Sequence, residues 1–90
     1  MIIYLLDGKD MTGRRKAYRI FKQTFGFPDW FGADLDGLYD CLCELKADET
    51  AIVFVNTEAM RCHLGPYAEK ILICFRDLSD EYGFTWIEKQ

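Results

Sequence analysis

No apolar run in this chain approaches the length of a membrane span, so a simple helical anchor is not expected. Positive charge is not in excess either. Eleven Lys and Arg stand against 15 Asp and Glu, for a net charge of −4. A nucleic-acid binder would need a basic stripe with a basic balance behind it. An acidic surface instead suits a basic partner, or belongs to an ordinary soluble protein. A secretory leader is not expected: Met1–Leu6 is apolar, but Asp7 and Gly8 end the run early and no basic segment precedes it. The four cysteines (Cys41, Cys43, Cys62, Cys74) lack the layout of a secreted disulfide framework, which points to reduced thiols and a cytoplasmic setting. Repeats, linkers and low-complexity segments are missing, so residues 1–90 read as one small domain.

What is present reads as an alternation of strands and helices. Ile2–Leu6 (IIYLL), Ala51–Val55 (AIVFV) and Phe84–Ile87 (FTWI) are short apolar runs that predict buried strands. Arg14–Phe25 predicts a helix with Thr12 as N-cap, an apolar face of Ala17, Ile20, Phe21 and Phe25, and Gly26 as its stop. Its basic residues, Arg14, Arg15, Lys16, Arg19 and Lys22, read most simply as a solvated face. Asp34 is the candidate N-cap of a second helix over Leu35–Lys46. Ala47–Thr50 reads as a polar loop, and Asn56–Gly65 is irregular or holds a short helix. A long helix follows from Pro66 to Tyr82, with Ala68, Ile71, Leu72, Phe75 and Leu78 buried and Gly83 at its end. Strands separated by helices predict an α/β fold around a small three-stranded parallel sheet, in the order β-α-α-β-α-β.

The richest stretch is FPDWFGADLDGLYDCL, residues 27–42. Leu35, Leu38, Leu42 and Leu45 form one apolar helical stripe. Asp36, Tyr39, Asp40 and Cys43 form another. Two carboxylates one turn apart destabilise a helix by roughly 0.2–0.5 kcal/mol, so a chain that keeps them beside an aromatic has a use for them or carries them on a solvated face. A metal site on Asp34, Asp36 and Asp40 lacks the ligand spacing, glycine and closing glutamate of a calcium loop. A catalytic acid pair would need a cleft, whereas these two lie on one convex face with no histidine or serine motif nearby. His63 beside Cys62 reads as structural or solvated, and Cys41 and Cys43 point too far apart around a helix to share a zinc ion. No cofactor, metal or catalytic residue is expected.

This stretch resembles the signature of the barstar family of intracellular ribonuclease inhibitors: a proline (Pro28), an aromatic pair (Trp30–Phe31), Gly32, then the helix DLDGLYDCL. The order of elements and the later ILICFRDL extend the resemblance over most of the chain. It implies a three-stranded parallel sheet with packed helices, and a helix and loop that plug the active site of a basic ribonuclease. Asp40 would take the place of a substrate phosphate, and Asp36 would be the second acidic contact. Tyr39 matches an interface tryptophan, and Trp30 a tyrosine that covers the catalytic histidine. Asp34 matches a polar contact before the helix, and Asp77 a glutamate reaching from the last helix. Phe31, Gly32 and Cys43 complete the expected partner-binding set. The chain departs from the pattern at Tyr39, at Trp30, at the shorter Asp77, at Gly37 where alanine is common, and in its basic first helix.

Helical geometry agrees with the resemblance independently. Asp36 and Asp40 lie roughly 6 Å apart along a helix axis, near the spacing of successive phosphates in RNA. Arginine binds carboxylates through charge-assisted forks, and Trp30 and Tyr39 would exclude water around them. The expected role is an intracellular inhibitor of a basic extracellular or toxin ribonuclease, monomeric when free. The alternatives are an interaction module with a non-nuclease partner, and a regulator touching RNA through the basic helix.

Overall fold

The computed structural model describes residues 1–45 and 47–90. The elements run β1 (Ile2–Asp7), α1 (Arg14–Phe25), α2 (Leu35–Leu42), β2 (Thr50–Val55), α3 (Thr57–Leu64), α4 (Tyr67–Tyr82) and β3 (Thr85–Glu88). The three strands form one parallel sheet in the order β1-β2-β3, with Ile3 opposite Ala51, Leu5 opposite Val53, and Val53 opposite Ile87. The α/β class and the expected order are thus found. The segment left open between β2 and the long helix contains the short helix α3.

The crossovers from β1 to β2 and from β2 to β3 travel the same way across the sheet, and with the right-handed rule for parallel strands this stacks the helices on one face. Side chains bear this out. Leu6, Ile52 and Phe54 point into the core and are fully buried. Trp86 stacks on Phe75 of α4 at 5.0 Å, and Glu88 takes an ion pair from Arg76 of α4. The core is strongly aromatic: Phe21, Phe54 and Phe75 meet edge to face at 5.5–6.5 Å. Offset and edge-on pairs of this kind add about 0.5–1.5 kcal/mol each beyond area burial.

Several sequence expectations need correction. The strands β1 and β3 are not buried on both faces, since Ile3 and Leu5 remain 67% and 63% exposed and Ile87 41%. An apolar run does not reveal whether one or both faces of its sheet are covered. The N-cap of α1 is Gly13, without a side-chain bond, rather than Thr12. Gly26 does end α1 in the left-handed region, at φ 69°, where the missing Cβ removes the steric penalty. Helix α2 stops at Leu42 rather than continuing to Lys46, which lies outside the described residues. The chain tightens instead, with Glu44 N–H bonded to Cys41 O and Leu45 N–H to Leu42 O, and Leu45 stays packed on the core. The segment read as a polar loop holds a 3₁₀ turn, Ala47–Glu49, and Thr50 already belongs to β2. Pro66 stands one residue ahead of α4 rather than inside it.

Candidate protein-binding face

The loop before α2 is tied to the core by a row of aromatic rings. Phe25 packs against Phe75 at 6.2 Å, Phe27 stacks on Phe25 at 5.2 Å, and Phe31 follows Phe27 at 5.0 Å. Phe31 also meets Tyr18 at 6.1 Å, so it turns inward and anchors the loop. Trp30, its neighbour, points out and is 68% exposed. Phe31 N–H bonds to Pro28 O, and Asp34 N–H bonds to Gly32 O. The turn is thereby closed at both ends. Lys22 of α1 adds an ion pair to Asp29 at 3.2 Å.

Asp34 caps α2 as the sequence predicts, its carboxylate accepting the Gly37 N–H at 2.7 Å. Gly37 serves this turn and not a neighbouring helix. A Cβ there would stand 2.3 Å from Gly32 O. The chain's own loop folds back over the helix start at this point, and only glycine leaves it room.

Asp36 and Asp40 are both exposed on α2. Among the described residues no ion pair engages either of them. Tyr39 lies between them, 40% exposed, and its hydroxyl donates to Glu81 Oε2 of α4 at 3.3 Å. The Glu81 charge raises the Tyr39 pKa, keeping the phenol protonated. Helix α2 packs against α4, and a groove between them is lined by Asp36, Tyr39, Lys70, Ile73, Cys74 and Asp77, with Leu35 at its edge. Asp36, Tyr39 and Asp77 are therefore brought together. Asp40 is exposed one turn further along α2, and Trp30 is exposed in the preceding loop. Cys43 is half-buried beside Tyr82, whose hydroxyl pKa this contact and the Glu81 charge push up to about 12.

Sequence reasoning overlooked Lys70, Ile73, Glu81 and Tyr82. Lys70, Ile73, Asp77 and Glu81 recur at helical spacing on one side of α4, and extending that row from Asp77 in both directions would have found them.

The second charged surface is basic. Arg15, Arg19 and Lys22 line a shallow cleft with Tyr18, Phe31 and Ala33. Arg14 stands over the Tyr67 ring at 3.9 Å, so part of the basic row packs against the fold rather than being merely solvated. Among the described residues, no three His, Cys, Asp or Glu side chains gather as a metal site. Among the described residues no helix is long and apolar enough to cross a membrane.

This small parallel α/β domain thus presents exposed carboxylates and exposed aromatics on one outer face. Comparison with known proteins places it in a family. The family model described as Barstar (barnase inhibitor) matches residues 1–89, and the chain belongs to the barstar family. It is 30% identical over 77 residues to a Bacillus subtilis (strain 168) protein named "Putative ribonuclease inhibitor YrdF", across 86% of this chain and 85% of that one. Family and relative point to an inhibitor of the barnase-inhibitor type rather than an enzyme.

Proposed function

We propose that this protein inhibits a basic ribonuclease by seating α2 and the loop before it in the enzyme's active-site cleft. The observation that carries this reading is the pair Asp36 and Asp40, exposed one turn apart and without an ion-pair partner among the described residues. A cleft that binds RNA is lined by cations, and two fixed carboxylates roughly 6 Å apart along the axis match two successive phosphates. Because neither acid is ion-paired among the described residues, neither has such a partner there to lose on binding. Asp40 occupies the place of the scissile phosphate, Asp36 the neighbouring one, and Asp77 extends the acidic surface from α4. Trp30 and Tyr39 cover the rim and keep water from the ion pairs. Asp34, Gly32 and Phe31 hold the loop in shape, and Cys43 borders the contact. The setting is the cytoplasm, where such a protein guards its cell against a ribonuclease made for export or used as a toxin.

A pull-down tests this. The purified protein is the bait, and a second bait carries Asp36→Ala and Asp40→Ala together. The expected result is a ribonuclease retained by the first bait and not by the second. A nuclease held equally by both baits, or a tightly held partner with no nuclease activity, would refute the reading.

A further inference from the structure

Residues 11–28 hold Arg14, Arg15, Lys16, Arg19 and Lys22 and no acidic residue, in a chain whose net charge is −4. Arg15, Tyr18, Arg19 and Lys22 recur at i, i+3, i+4 and i+7, so α1 turns them to one side. That side is one wall of a cleft of about 250 Å³, and Phe31 and Ala33 of the loop are the other. Tyr18 is buried and its hydroxyl is engaged by that of Tyr67 on α4, so the floor is fixed. Phe31 is half-buried, packed on Tyr18 at 6.1 Å. Lys22 spends its charge on Asp29. Arg15 and Arg19 are exposed, and among the described residues no ion pair engages either of them. They repel each other one turn apart, and Arg15 also stands at the positive end of α1. Two cations kept against the helix's own preference, at the mouth of a preformed cleft, call for an anion.

We propose that this cleft binds a nucleoside monophosphate. Arginine forks grip a phosphate through charge-assisted, bidentate hydrogen bonds, and Arg15 and Arg19 lie roughly 6 Å apart along the axis, close enough for both to reach one phosphate group. The Phe31 ring offers a surface on which a base stacks, and the small Ala33 leaves the room for it. Size and charge select a single nucleotide over a strand. The volume lies just under the range of about 300–1,000 Å³ that holds drug-sized ligands. A strand leaving the cleft along the loop would meet the carboxylates of Asp34, Asp36 and Asp40, all exposed. The site shares neither Asp36 nor Asp40 and so stands apart from the ribonuclease-binding reading.

Calorimetric titration with adenosine 5′-monophosphate, adenosine and inorganic phosphate in low salt reads this directly. The monophosphate should bind at one site per chain with a dissociation constant of ~0.1–1 mM. Inorganic phosphate should bind at least about tenfold more weakly, and adenosine more weakly still. Arg15→Gln with Arg19→Gln, both at exposed positions, should weaken the monophosphate about tenfold or more with an unchanged circular dichroism spectrum. Ala33→Leu keeps every charge but fills the cleft, so it should weaken the monophosphate and leave inorganic phosphate as it was. No binding of the monophosphate up to ~10 mM overturns the proposal. So does inorganic phosphate binding as tightly as the monophosphate, or an affinity that Ala33→Leu leaves unchanged, since either result describes a cationic surface and not a nucleotide cleft. A 5′-phosphorylated tetranucleotide that binds more tightly than the monophosphate, with a steeper salt dependence, also overturns it in favour of RNA.

Discussion

At the scale of single residues, the four free thiols separate by environment. Burial pushes the Cys74 pKa up to about 11, with the nearby Asp77 charge adding to it, and burial also raises that of Cys41. The thiolate is the reactive form, so both are protected at neutral pH. Cys62 is exposed. Iodoacetamide at pH 8, followed by mass spectrometry, should therefore label Cys62 first and Cys41 and Cys74 last. Asp7 supplies a pH dependence. The Asn56 amide and then the Lys9 N–H hold its carboxyl below the ordinary value of 3.8. A lowered pKa in the folded state means a contribution fully present above pH 4 and lost as pH falls through the folded value. Asp7→Asn should flatten the decline of stability below pH 4, as read by urea unfolding at several pH values. Arg15 stands in the first turn of α1 with Arg14 and Lys16, where no acidic residue meets the positive end of the helix. Arg15→Glu should raise stability by about 0.3–1 kcal/mol at low salt, measured the same way.

Among the elements, the loop and α2 act as one unit because Gly37 lets Gly32 close over the helix start. Gly37→Ala places a methyl group 2.3 Å from Gly32 O, so the loop must lift. The fold should persist while affinity for the captured ribonuclease falls at least about tenfold, or ~1.4 kcal/mol, by calorimetry. A second test concerns β3. Among the described residues the Trp86 indole N–H is buried without a hydrogen-bond partner, a cost of about 1–3 kcal/mol. Trp86→Phe keeps a ring on Phe75 and removes the orphan donor, so its unfolding free energy should stay within ~1 kcal/mol of the wild type despite the lost ring area. The sequence made α1 and α4 legible because their apolar residues recur at helical spacing and glycine marks both ends. It misled at α2, where Leu45 continues the stripe of Leu35, Leu38 and Leu42. A tightened turn can keep such a leucine in the core after the helix has ended. The exposure of Ile3 and Leu5 was hidden for a similar reason, since IIYLL looks alike whether one side or both are covered. Asp34, Asp36 and Asp40 were legible because capping and helical phase are local. Glu81 and Tyr82 required knowing that α4 packs beside α2.

For the whole molecule, acidic and basic surfaces flank the same loop. Asp36 and Asp40 lie beyond it on α2, and the cleft of Arg15, Arg19 and Lys22 lies behind it on α1. Long-range attraction between the acidic face and a cationic cleft should speed association and weaken with salt, with a Debye length of about 10 Å at 0.1 M. The central claim is that this face occupies the place of RNA, and inhibition kinetics against the captured ribonuclease test it most directly. The apparent inhibition constant should rise linearly with RNA substrate concentration once that exceeds KM, as competition for one cleft demands, and Asp40→Ala should raise it at every substrate concentration by about 30-fold or more, ~2 kcal/mol. An inhibition constant indifferent to RNA concentration, or equal for the wild type and Asp40→Ala, would contradict the account.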